Sequence, residues 1–294
     1  MQRLCVQNGL VSEFHQEKKL EMKKVFIRTF TGLFIVIAVY AIVFLSKYPF
    51  VTEAATALLS IAAVYEIFRA TGENKKKAPL FISLVVAAII SFAPIPHYEV
   101  IACVTLIVAI FVFAAMMRKM ETFRFRRTRQ TVITAFIVVL LIRAIPTLRV
   151  VENGFWYLAF VIALCFLSDI LAYLTGKIFG SHRLAPRVSP KKTVEGALGG
   201  IVFTAVLVLG LAVLIERNTE IVFQLKPLAL WSLLATVLGQ FGDLSMSVIK
   251  RVCGIKDYGK IFPGHGGVLD RFDSHIFAIA FTLVFCTFGR GFIG

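Results

Sequence analysis

The chain has 294 residues, of which 58% are hydrophobic and 17% charged, against roughly a quarter charged in an average soluble domain. That balance excludes a disordered chain, a collagen-like chain and a small disulfide scaffold, and it points to a polytopic membrane protein. Lys and Arg number 32 and Asp and Glu 17, a formal net charge of +15, so the placement of positive charge is the first question.

Residues 1–21 are polar and unlike the rest. They read as an extension with no role in chemistry, and Met22-Lys23-Lys24 ahead of an apolar run would itself make a normal start. No cleavable signal is visible: the first apolar stretch follows Arg28, is long enough to span, and lacks a small-residue cleavage site. A bilayer span takes roughly 20 apolar residues, and about nine runs approach that length. They are Phe26–Leu45, Phe50–Phe68, Pro79–Phe92, Tyr98–Met117, Thr131–Ile145, Phe155–Gly176, Gly196–Ile215, Pro227–Ile249 and Ser274–Phe288. The third, fifth and ninth are the shortest. The cysteines Cys5, Cys103, Cys165, Cys253 and Cys286 form no C-x-x-C pair and no zinc spacing. The expected fold is therefore all-α, a polytopic membrane protein with about nine transmembrane helices. About five lie in an N-terminal region, 22–150, and the rest in a C-terminal region, 151–294, that carries the catalytic residues.

If every run crosses, the polar segments between them alternate in side. All of the 32 basic residues except Lys47, Arg143, Arg149, Arg217, Lys226 and Arg290 then fall on one side. Positive charge marks the cytoplasmic side, which places the N-terminus there. The Lys75–Lys77 run and the Arg124–Arg129 cluster read as topology signals and lipid-headgroup contacts. The net charge thus orients the chain and is not a nucleic-acid footprint.

Ionisable groups inside a membrane are costly and by default mark function. Asp169 in the sixth predicted span and Asp243 in the eighth sit at matched depth, roughly 10 Å from the inner boundary. Two such carboxylates can meet in one cavity; a buried salt bridge between helices is the structural alternative. Glu66, near the inner end of the second span, reads equally as an interfacial carboxylate or a site residue.

The segment from Ser247 to Asp273 is the densest in polar chemistry. Lys250, Arg251, Lys256 and Arg271 supply positive charge suited to phosphates, Arg in bidentate geometry. Pro263-Gly264-His265-Gly266-Gly267 reads as a tight turn whose amides can cradle an anion. Asp270 and Asp273, three apart, face one way if that turn is helical, and can share a divalent cation with Asp243 as third ligand. Hard oxygen ligands of this kind suit magnesium. Earlier in the chain, Ser189-Pro190-Lys191-Lys192-Thr193 precedes a predicted helix, with Glu195 just inside it. Two lysines, hydroxyls and a helix N-terminus favour a polyphosphate, although this is not a Walker A loop.

Taken together, these runs resemble the phosphatidate cytidylyltransferase (CDP-diacylglycerol synthase) family. The resemblance runs from Ser247-x-x-Lys250-Arg251 through Lys256-Asp257 and His265-Gly266-Gly267 to Asp270-Arg271-x-Asp273. Gly242-Asp243-Leu244, Asp169-x-x-Ala172-Tyr173-x-x-Gly176 and Ser189-Pro190-Lys191-Lys192-Thr193-x-Glu195-Gly196 also look like the family. It extends from about Leu167 to the C-terminus; before that only a general pattern of spans is shared. One departure is Met246, where members often carry Glu.

The resemblance implies a reaction in which CTP and phosphatidic acid give CDP-diacylglycerol and pyrophosphate. It further implies magnesium, with room for a second cation, and an active site facing the cytoplasm from the inner membrane. On this reading Asp243, Asp270, Lys250, Arg251 and Lys192 are catalytic, and the metal contacts come from Asp243, Asp270, Asp273 and Asp169. Ser189, Lys191, Lys192, Thr193, Ser247, Lys250, Arg251, Lys256, His265 and Arg271 serve substrate phosphates or the nucleotide. The partners are CTP, phosphatidic acid and membrane lipid; a homodimer is allowed for. A CTP-dependent lipid-alcohol kinase or another CDP-lipid synthase would keep these groups and change the acceptor. A transporter would call for inverted repeats with broken helices, and none is visible. The D-G-x-x-A-R motif of the CDP-alcohol phosphotransferases is absent.

Overall fold

The structure, a computed structural model, describes residues 29–123, 125, 128–264, 266–289 and 291–293. The expectations for residues 1–21, Met22, Arg124, Arg126, Arg127 and His265 fall outside the described residues. Apolar runs fold into helices here because in a bilayer every backbone amide needs an internal partner. In chain order these are α1 (Thr29–Leu45), α2 (Pro49–Ala70), α3 (Lys77–Phe92), α4 (Tyr98–Arg118), α5 (Thr128–Ile142), α6 (Ala144–Val150), α7 (Gly154–Phe179), α8 (Val194–Glu216), α9 (Leu225–Val252) and α10 (Leu269–Phe288). A single 3₁₀ turn, Glu73–Lys75, joins α2 to α3.

One expectation needs correction and a second is met in part. The fold is mostly helical but not all-α, because Arg183–Ala185 (β1) and Ser189–Thr193 (β2) pair as an antiparallel hairpin between α7 and α8. Strands this short show no hydrophobic period in the sequence. The second concerns the count. Among the described residues seven stretches are long and apolar enough to cross a membrane, while α1 and α3 are shorter. The 16 residues of α3 extend about 24 Å against a hydrocarbon core of roughly 30 Å.

Boundaries also moved. The fifth predicted span continues past Ile145 to Val150, as α5 and α6 broken only at Arg143. Pro146 explains the break, since it has no N–H to donate to the carbonyl four residues back and so fits only the first turn of a new helix. The ninth starts at Leu269, which brings Asp270 and Asp273 inside the helix.

Two close helix pairs form the C-terminal block. Between α7 and α8 the contact is glycine on glycine: a Cβ on Gly196 would sit 2.7 Å from the Ala172 carbonyl oxygen and 3.0 Å from Gly176 Cα. Small residues allow such approach where packing, not water, drives helix association. Between α9 and α10, a Cβ on Gly242 would sit 2.6 Å from the Asp273 carbonyl oxygen. At the opposite end of the same block an aromatic cluster fills the core: Phe292 lies 4.6 Å from Trp231 and 4.7 Å from Tyr157, and Phe160 lies 5.2 Å from Phe223, ring to ring. Outward-facing Phe111 and Leu58 are 72% and 70% exposed, a surface suited to lipid rather than water.

Candidate active site

The polar residues converge toward one end of the C-terminal block. Asp169 lies ten residues before the end of α7 and Asp243 nine before the end of α9, about 14–15 Å along each helix. Both helices run three residues beyond their predicted ends, so the acids lie deeper than the sequence suggests but still at matched depth. The Gly242 contact brings the backbone beside Asp243 against that of Asp273. The carboxylate of Asp243 acts electrostatically on both Asp169 and Asp273.

Four acids thus sit in two settings. Asp243 is paired with the Nζ of Lys192, which arrives on β2, and accepts from Ser247 Oγ at 3.4 Å. The side chains of Lys192 and Asp243 keep 30% and 22% of their surface open. Asp169 is exposed along a cavity of about 490 Å³ between α7, α8 and the hairpin. Lys177, Arg183, Lys191 and Lys192 line the same cavity, with Tyr173 and Gln240. Lys177, Arg183 and Lys191 form no ion pair with a described acid.

Asp270, by contrast, is enclosed. Its Oδ1 accepts from Lys250 Nζ at 2.8 Å, and its Oδ2 accepts from the backbone N–H groups of Tyr258 and Gly267, each at 2.8 Å. Gly266 adopts φ 88°, and a Cβ there would lie 2.6 Å from Asp270 Oδ2, so the loop closes directly on the carboxylate. Tyr258 is buried beside it and donates its hydroxyl to the Met246 carbonyl at 2.9 Å. Burial pushes the Tyr258 hydroxyl well up from its ordinary value, which keeps it a neutral donor. Met246 itself is fully buried. Asp273 is buried, with Oδ1 accepting from the Ser274 N–H at 2.9 Å.

Other residues singled out in the sequence take structural places. Thr193 Oγ1 accepts from Gly196 N at 3.1 Å and caps α8. Arg251 is turned to the hairpin, donating from Nε to the Val188 carbonyl at 3.0 Å. Ser189 stands opposite Ala185 in the hairpin. Lys256 is exposed, and Arg271 has a buried Nε with no partner among the described residues. The anion cradle expected at 263–267 is already engaged in part: the Gly266 N–H goes to Phe262 O and the Gly267 N–H to Asp270.

Three residues carry no specific role in the sequence, and a fourth, Glu66, reads there two ways. Lys177 and Arg183 were counted as topology charge, and Gln240 carries no signal alone. Glu66 had the signal of an acid within a span, and it accepts from the N–H groups of Val268 and Leu269.

Among the described residues no three acidic, imidazole or thiol groups stand close enough together to hold a metal unaided. The carboxylates of Asp243, Asp273 and Asp169 are nevertheless the oxygen donors that a hard cation takes. Magnesium keeps several waters and is usually bound by one or two carboxylates plus substrate phosphates, so no complete protein cage is required.

A family model described as the Cytidylyltransferase family matches residues 26–288. The phosphatidate cytidylyltransferase of Staphylococcus saprophyticus is 40% identical over 133 residues, covering 44% of this chain and 48% of that protein. The proteins of the same name from Staphylococcus aureus and Staphylococcus haemolyticus are 39% and 38% identical over 128 residues, with the same coverage. The chain thus matches about half the length of these curated relatives.

Proposed function

This chain belongs to the cytidylyltransferase family, and from that premise we propose that it joins CTP to phosphatidic acid, yielding CDP-diacylglycerol and pyrophosphate. The observation that carries the reading is the cavity of about 490 Å³, where one exposed acid, Asp169, faces four basic side chains beside the open Lys192–Asp243 pair. Polyanionic substrates supply the countercharge that Lys177, Arg183 and Lys191 lack.

The nucleophile is a phosphate oxygen of the lipid, already anionic, so the protein need not provide a strong base. Its task is to bring two repelling polyanions into line. Lys192 and Lys191 hold phosphate oxygens from the hairpin side, and Lys250 and Arg271 raise the positive potential from the α9–α10 side. Lys256, His265 and Arg251 are assigned to the nucleotide, and Ser247 and Ser189 to polar support. Asp243, Asp273 and Asp169 are the residues to hold magnesium. Asp270 uses three of about four acceptor sites on its Lys250, Tyr258 and Gly267 donors, leaving one for a cation. When bound, the ion would neutralise charge on the α-phosphate of the cytidylyl group being transferred and on the departing pyrophosphate.

The geometry of access supports the same reading. Tyr173 lines the cavity and is 67% exposed, and Leu174 and Leu198, each next in sequence to a lining residue, are 45% and 58% exposed, which suits entry of a lipid from the side. CTP enters from the cytoplasm on this proposal, which adopts the inner-membrane orientation given by the basic residues and has α1 and α3 crossing by tilting neighbours or thinning lipid. No nucleic acid takes part, and a homodimer is compatible with the exposed faces.

The test is direct. Purified protein in detergent with CTP, magnesium and phosphatidic acid is expected to release pyrophosphate and form CDP-lipid in equal amounts. Neither product from folded protein would overturn the proposal. Release of CDP with phosphorylation of a lipid alcohol would assign the chain to kinase chemistry instead.

A further inference from the structure

We propose that Glu66 is a positioning residue. It clamps the loop before α10, and the first turn of that helix, to the N-terminal helices, and so fixes Asp270, Lys250 and Asp273 for the transfer. The proposal rests on the reaction proposed above.

Glu66 lies near the inner end of α2 and is 1% exposed. Its Oε1 accepts from Val268 N at 2.9 Å and its Oε2 from Leu269 N at 2.8 Å, across 202 and 203 residues of chain. The first amides of a helix have no acceptor within the helix, and the positive end of the helix dipole favours an anion there. That duty normally falls to a Ser, Thr, Asp or Asn at the N-cap. Here the N-cap is Val268, which has no side-chain acceptor, and α2 supplies the carboxylate.

The clamp continues into the neighbouring acid. Asp270 Oδ2 takes the Gly267 and Tyr258 amides, immediately beside the two that Glu66 takes. Four buried or half-buried loop amides are therefore divided between two carboxylates, one from each half of the chain. The loop is also built to admit Glu66. A Cβ on Gly259 would lie 2.7 Å from Glu66 Oε1, and one on Gly267 would overlap the same carboxylate. A shift of the first turn of α10 moves Asp270 with its Lys250 partner, and moves Asp273 against Gly242 and hence Asp243. Through this contact the N-terminal helices act on the reaction without touching substrate.

The experiment uses the full chain in lipid nanodiscs. Glu66→Gln keeps the volume but sets an NH₂ group against an amide N–H. Its kcat is expected to fall about 10- to 100-fold, the scale of a misplacement of about 1 Å, with KM for CTP little changed. Glu66→Asp, charged but one methylene short, should fall between. Amide exchange at 258 and 267–269 should accelerate while α5 and α8 keep their protection. Ser91→Ala, which loses the 3.4 Å contact from α3 to Ser60 on α2, controls for loosening of α2 and should keep wild-type kcat. Wild-type kcat in Glu66→Gln, or equal losses in Ser91→Ala, would reduce Glu66 to general scaffold and overturn the proposal. So would unchanged exchange at 267–269. A wild-type protein that makes no CDP-lipid would instead remove the reaction, while the exchange measurement still reports on the clamp.

Discussion

Lys192–Asp243 and Lys250–Asp270 are both lysine–aspartate pairs, yet they are built for opposite ends. The first joins a hairpin to a helix, and its side chains are 30% and 22% exposed. The second joins two helices, is 11% and 2% exposed, and its carboxylate holds two backbone amides as well. An open pair exchanges its partner for a phosphate or a cation at little cost. A closed pair whose carboxylate also holds two backbone amides keeps its shape. One site thus uses the same chemistry once as working surface and once as frame.

Breaking the open pair at its acid should cost most in turnover. Asp243→Asn is expected to lower pyrophosphate release by about 10³-fold or more, with thermal unfolding close to wild type. Near-normal turnover would remove Asp243 from the reaction. Breaking the closed pair should instead cost fold. Asp270→Asn leaves the Lys250 ammonium buried without its partner, for a destabilisation of about 3–5 kcal/mol read as a fall in unfolding temperature, with activity lost in parallel. Adding Lys250→Met to that variant should recover stability but not activity; if the double variant is no more stable than the single, the pair is not closed in the sense argued. Lys192→Met should change stability by less than about 1 kcal/mol. It should raise KM for CTP or phosphatidate about 10- to 100-fold, the worth of a hydrogen bond to a charged group.

The smallest effect calibrates the comparison against a pair outside the site. Glu73 accepts from Thr128 Oγ1 at 2.6 Å and pairs with Lys76 at 2.9 Å. Those two contacts hold its carboxyl below the ordinary value of 4.5. A lowered pKa in the folded state contributes stability that is full above about 4.5 and is lost as pH falls through the lowered value. Glu73→Gln should therefore unfold slightly more easily than wild type near neutral pH, and the gap should close on acidification. A gap that widens in acid would reverse the sign.

Much of this was legible in the sequence, for physical reasons. Long apolar runs can only be helices in a bilayer, so the helix positions were readable and only their ends moved. Acids within spans are conspicuous, so Asp169, Asp243 and Glu66 stood out. What one residue does to another across the fold was not legible. Asp270 reads as a free carboxylate until the Tyr258 and Gly267 amides are seen to converge on it, because backbone donors leave no mark in the amino-acid order. Thr193 reads in the sequence as a phosphate ligand, and its Oγ1 also caps α8. Lys177 and Arg183 are indistinguishable from orientation charge until the cavity groups them. The hairpin was missed because two strands of three and five residues carry no period.

The aromatic cluster at the far end of α7 and α9 has a consequence for the cell. A polar cavity that reaches deep into a membrane is half of an ion leak. Tyr157 lies twelve residues, about 18 Å, beyond Asp169 along α7, and there the block is closed by Trp231, Phe292, Phe160 and Phe223, all nearly or fully buried. Trp231 even turns its one N–H inward, to Thr282 Oγ1 at 3.1 Å. A proton or metal ion that reached the acids would meet a dry aromatic floor in which a bare charge is prohibitively unstable. If the proposed reaction is right, the protein can hold water and cations beneath the headgroups without short-circuiting the potential across the membrane it sits in.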